Sequence, residues 1–134
     1  MTTPTAAFAQ TPETLSATIT GVDDLTDSPA NTLIIATAGV DGAIFTKLTA
    51  IPRATITDAS LHLFISRDNG TTQLLISSAL MGAHTVDAAT AVPVTDFGYS
   101  KDSPLELAAG DELYVGSGVA LAGGIEFNSE WSDL

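Results

Sequence analysis

From Leu15 onward the chain alternates apolar and polar positions with a period of two. Leu15, Ala17 and Ile19 fall between Ser16, Thr18 and Thr20, as in a half-buried strand whose successive side chains point to opposite faces. GVDDLTDSPAN interrupts the pattern with Gly, Pro and three Asp. Two β-branched runs follow, NTLIIATA and AIFTKLTAIP, and the VDG between them (Val40, Asp41, Gly42) is a hairpin signal. In SLHLFIS, Leu61, Leu63 and Ile65 share one face while His62 and Phe64 take the other. RDNGTT, next in line, is the strongest turn in the chain, because Asn and Gly tolerate the positive φ of tight hairpins.

QLLISSALMGAHTV fits a helix and a strand about equally by periodicity alone, and its Ser77, Ser78, Thr85 and flanking turns predict a strand with an irregular tail. VPVTDFGYS reads as a short strand or loop and SPLELAA as a short strand. DELYVGSGVAL is a strand with Leu113, Val115, Val119 and Leu121 on one face. The closing GIEFNSEWSDL places Ile125, Phe127 and Trp131 opposite Glu126, Asn128, Glu130 and Ser132. Many short strands parted by Gly, Pro, Asn and Asp predict an all-β, antiparallel sandwich or barrel of about eight strands. Residues 1–14 show neither period and carry one isolated aromatic, Phe8. They read as an extended N-terminal arm, with Phe8 the candidate anchor for contact with a neighbouring subunit, ahead of a single domain over 15–134.

Composition narrows the partners. The 134 residues carry four Lys and Arg against sixteen Asp and Glu, a formal net charge of −12. That sign is wrong for neutralising phosphates, so neither nucleic acid nor an anionic membrane surface is expected as a direct partner. Without cysteine, disulfides, thiolate zinc sites and Cys nucleophiles are excluded. The N-terminal segment lacks the basic start and apolar run of a secretory leader, and no stretch of about 18 apolar residues occurs to span a bilayer. A soluble chain made in the cytoplasm is the expectation. Alanine and threonine make up 39 residues and mean hydropathy is +0.30. Such a surface is small-featured and sparsely charged, suited to packing against other protein as readily as it reflects a coding bias.

Candidate chemistry is sparse. Asp111 and Glu112 are adjacent, so in a strand they point to opposite faces and cannot share a proton or flank one scissile bond; AAGDEL reads as the corner where a turn enters a strand. His62 and His84 belong to no HxH or HExxH arrangement, and no GxSxG elbow supports a Ser nucleophile. Asp23, Asp24 and Asp27, with Asn31, could supply oxygens to calcium, but their spacing is not that of an EF-hand and an acidic surface loop is the simpler reading. No cofactor is implied. Trp131, Tyr99 and Tyr114 are the candidate rings for a glycan platform, although Trp131 shares its face with Ile125 and Phe127.

The segment LELAAGDELYVGSGVAL followed by GIEFNSEW resembles the closing strands of trimeric jelly rolls, and the run from TLIIATAGVDGAIFTKLTA through RDNGTT and ALMGAHTV to the C-terminus is similar to small β-rich structural proteins of tailed bacteriophages. That resemblance implies a jelly-roll sandwich and a non-enzymatic virion role: a capsid decoration, or cement, protein that forms a homotrimer on the outer capsid surface and clamps the major capsid protein. It offers no catalytic motif. A phage tail, baseplate or fibre module binding host glycan is the alternative, and a stand-alone carbohydrate-binding domain the third reading.

Overall fold

The computed structural model describes residues 10–134, all of them strand, turn or loop. Nine strands follow in order: β1 (Thr11–Ile19), β2 (Leu33–Thr37), β3 (Ala43–Pro52), β4 (Ala59–Ser66), β5 (Leu74–Met81), β6 (Thr95–Asp96), β7 (Leu105–Leu107), β8 (Glu112–Ser117) and β9 (Ile125–Asp133). They form two antiparallel sheets, one ordered β1-β9-β3-β6 with β7 also on β3, the other β2-β8-β4-β5. The chain passes back and forth between the sheets, which is the winding of a jelly-roll sandwich. Phe45, Leu48 and Phe127 from the first sheet meet Ile35, Leu61, Leu63, Leu113 and Val115 from the second in one core.

The alternating segments supply that core as their period requires. Ile125, Phe127, Ser129 and Trp131 of β9 are buried, while Glu126, Asn128 and Glu130 are more open. β9 lies between β1 and β3 and pairs with β1 across nine consecutive positions, from Thr11 opposite Asp133 to Ile19 opposite Ile125. The first strand therefore starts at Thr11, taking in residues 11–14 that periodicity assigns to the arm. The long ladder offered by β9 overrides their weak pattern, and Pro12 is tolerated because β1 is an edge strand.

The hairpin expected at VDG takes another form. Gly42 donates its N–H to Gly39 O at 3.1 Å with φ of +88°, so the chain does reverse there. Yet β2 pairs with β8 and β3 with β9. Turn residues specify a change of direction; sheet membership follows from the ladder each strand can complete along its length. The RDNGTT turn does join two paired strands, β4 and β5, with Asn69 at φ 60° and Gly70 at φ 86°. Asp68 Oδ1 accepts from Thr72 N–H at 2.7 Å and from the Ser66 hydroxyl at 2.9 Å, tying the loop to its base. The Gln73–Val86 segment, open between helix and strand by periodicity, contains the strand β5. β8 ends at Ser117, and Val119 and Leu121 pack against the core from the segment beyond it.

One bulge matters for stability. The β2–β8 register shifts between Ile34 and Ala36, leaving Ile35 without a partner in the ladder. Ser129, buried on β9 in the opposite sheet, donates its hydroxyl to Ile35 O at 2.6 Å, with Leu15 O at 3.2 Å as a second acceptor. A buried side chain thus donates to a backbone carbonyl at the bulge and ties the sheets together.

Candidate functional site

The outer face of the second sheet holds the polar groups least accounted for by the fold. Leu61, Leu63 and Ile65 of β4 enter the core, so His62 and Phe64 must point away from it. Both are nevertheless buried, at 2% and 0% exposure, with the two rings edge to face at 6.1 Å. The connection from β1 to β2 crosses this side of the sheet. Asp23 N–H donates to Ser117 O at 2.8 Å, Ser28 N–H to Gln73 O at 2.9 Å, and the Thr32 hydroxyl to Gln73 Oε1 at 2.7 Å. Within the loop, Asn31 N–H donates to Asp23 Oδ1 at 2.9 Å and Asn31 Nδ2 to Val22 O at 2.9 Å.

Glycines permit this close approach. Gly116 of β8 stands opposite His62 in the ladder, and a Cβ there would lie 3.0 Å from Asp23 Oδ2. A Cβ on Gly118 would lie 3.3 Å from Ser60 O and 3.7 Å from His62 Nε2. Between loop and sheet lies an open depression of about 720 Å³ lined by Val22, Asp23, Asp24, Leu25, Ser60, His62 and Gly118. Two atoms of its lining residues, Asp23 Oδ2 and His62 Nδ1, are buried with no hydrogen-bond partner within the described protein. Burial pushes the His62 imidazole below its ordinary value, with Asp23 and Asp24 pulling weakly the other way. Asp24 is held below the usual carboxylate range, chiefly by the hydroxyl and N–H of Thr26.

β5, beside β4, is the open edge of the same sheet. Its sequence, LLISSALM, has no charged residue and no proline, and Leu74, Leu75, Ile76 and Leu80 are 42, 37, 41 and 70% exposed. Leu80 pairs with Ser60, which puts it next to the depression, where Val22 and Leu25 are also more than half exposed. The edge of the first sheet is different: β1 carries Pro12 and Glu13, two of the devices by which exposed edges are kept from pairing with other chains.

The residues singled out from the sequence lie in separate places. Phe8 falls outside the described residues. Trp131 is 7% exposed in the core, and its Nε1 has no partner. Tyr99 is half-buried against the core, edge-on to Phe45 at 5.6 Å. Tyr114 is on the second sheet, opposite Phe64, with its hydroxyl donating to Glu112 Oε1 at 3.2 Å; burial and the Glu112 charge raise its pKa. The three rings do not share one exposed face. Asp111 is buried in the turn before β8, where its Oδ2 accepts from Ala108 N–H at 2.9 Å, whereas Glu112 contacts Tyr114. His84 is far along the chain in a bridge with Ile56.

Of the acidic loop, Asp23 and Asp24 satisfy donors of their own loop and Asp27 is exposed. Among the described residues, no three His, Asp or Glu side chains gather closely enough to hold a metal ion. The meeting of His62 and Asp23 in one lining was not visible in the sequence, since the two belong to segments joined only by the fold. The nearest signal was a histidine on the polar side of an otherwise apolar strand. Comparison with known protein families, characterised proteins and solved structures finds no match for this chain.

Proposed function

We propose that the protein works by assembly, as a non-enzymatic virion component: a capsid decoration protein that forms a homotrimer on the outer capsid surface and stabilises contacts between units of the major capsid protein. The observation that carries this reading is β5, an open strand edge with four exposed aliphatic side chains and no charge or proline. A bare edge presents unpaired N–H and C=O groups together with apolar area, which is what a second chain needs to add to it. The jelly-roll winding and the acidic, alanine- and threonine-rich composition are compatible with a protein that lies on a lattice and keeps away from nucleic acid.

The test is the absolute mass in solution by light scattering across a dilution series, for the native chain and for Ile76→Lys/Leu80→Lys. The native chain is expected at about three times the 13.7 kDa of one copy and the variant at one copy. Native and variant proteins are then mixed with capsids stripped of surface proteins, and retention of the native protein alone is expected. A native monomer that also fails to bind capsids would overturn the proposal. A trimer that ignores capsids but binds host surface glycan would move it to the tail or fibre alternative.

A further inference from the structure

We propose that the depression between the β1–β2 loop and the outer face of β4 is a binding site for an alkylammonium group, the chemistry of a lysine side chain or of a small aliphatic amine. Two buried polar atoms on residues that line it are incomplete. Asp23 is 7% exposed and His62 2%, yet Asp23 Oδ2 and His62 Nδ1 have no partner from the protein. A buried carboxylate oxygen left unpaired is costly, and no donor of the described chain reaches it, so a donor brought in from outside would complete it. Asp24 adds a second carboxylate, at the exposed wall.

The remaining lining selects among cations. No Lys or Arg lines the depression, and the ion pair found among the described residues, Lys47 with Glu130, involves neither aspartate. Val22 and Leu25, 51 and 56% exposed, offer apolar contact for an aliphatic stem. A bare metal ion would leave those side chains unused and meet too few ligands. His62, kept neutral by burial at ordinary pH, does not repel a cation and does not take up the carboxylates with its own charge. Gly118 leaves the floor open, because any side chain there would project over Ser60 and His62. The proposal is independent of the assembly reading, since a monomer would carry the same site.

The experiment is titration of the isotopically labelled full chain with n-butylammonium chloride, followed by amide shifts in solution. Saturable shifts confined to Val22–Leu25, Ser60–His62 and Gly116–Gly118 are expected. Asp23→Asn and Asp24→Asn should each weaken binding about tenfold, the loss of one charged hydrogen bond; Asp41→Asn, in the turn before β3, should leave it unchanged. Asp24 is exposed, so its variant keeps the test usable if Asp23→Asn unfolds. N-acetyl-lysine-N-methylamide binding more tightly than butylammonium identifies a polypeptide lysine as the source, and the reverse order a free amine; either supports the site. Equal shifts with 1-butanol, tighter binding of calcium chloride, shifts spread over all acidic residues, or none at tens of millimolar would each overturn it.

Discussion

Ser129→Ala isolates what a buried cross-sheet hydrogen bond contributes, because the fold contains its own control. Ser129 donates to Ile35 O at 2.6 Å from a buried position, and Ser16 donates to Asn128 Oδ1 at the same 2.6 Å from an exposed one. Both bonds join residues far apart in sequence, so loop closure does not separate them. Water does: Asn128 stripped of Ser16 hydrogen-bonds to solvent, whereas Ile35 O, at the bulge, loses its hydroxyl donor inside the protein. Removing one oxygen leaves little cavity, so the cost is mainly that of a stranded carbonyl, about 1–3 kcal/mol. Ser16→Ala should cost less than about 0.5 kcal/mol. Urea unfolding followed by the fluorescence of Trp131, the single tryptophan, reads both at a fixed protein concentration. With a slope of roughly 2 kcal/mol per molar, Ser129→Ala should lower the midpoint by roughly 0.5–1.5 M at unchanged slope. Equal losses in the two variants, or a loss below about 0.5 kcal/mol for Ser129→Ala, would refute the reasoning.

Three further outcomes are expected. Gly42 and Gly110 both have positive φ, but a Cβ on Gly42 would sit 2.6 Å from Leu107 O while one on Gly110 meets nothing within 4 Å; Gly110→Ala should cost about 1 kcal/mol of backbone strain and Gly42→Ala at least about 2 more by thermal melting, equal costs arguing against the clash. Burial depresses the His62 pKa below 6.5, so the unfolded chain takes up that proton first; stability should be full above pH 6.5 and decline as pH falls below it, and His62→Gln should flatten this limb, leaving the loss near and below pH 3.8 from Asp24, Asp68 and Asp87. With a net charge of −12 and one exposed ion pair among the described residues, added sodium chloride up to about 0.3 M should raise the melting temperature, and Lys47→Met should change stability by less than about 0.5 kcal/mol; melting that falls with salt would contradict this.

Alternation of side chains was legible from the sequence because it is a local property. Most residues buried on one face of a strand are apolar whatever lies across from them, so β4, β8 and β9 announce both their type and their inner face, and RDNGTT announces its hairpin through the φ angles that Asn and Gly permit. The acidic corner at Asp111 was legible for the same reason. What the fold alone decided are relations between distant segments. The turn at Gly42 reverses the chain in either case, but only the ladders available on β8 and β9 place β2 and β3 in different sheets. β1 extends back to Thr11 because β9 is long enough to receive it.

The depression follows the same logic. Asp23 sits in a segment whose composition says loop, and His62 in one whose period says strand. Nothing in either segment encodes the other, since their meeting depends on the loop crossing the sheet at Gly116 and Gly118. Burial of a polar atom is a property of everything packed around it. A sequence states which groups a chain carries, and the tertiary structure decides which of them are left without a partner.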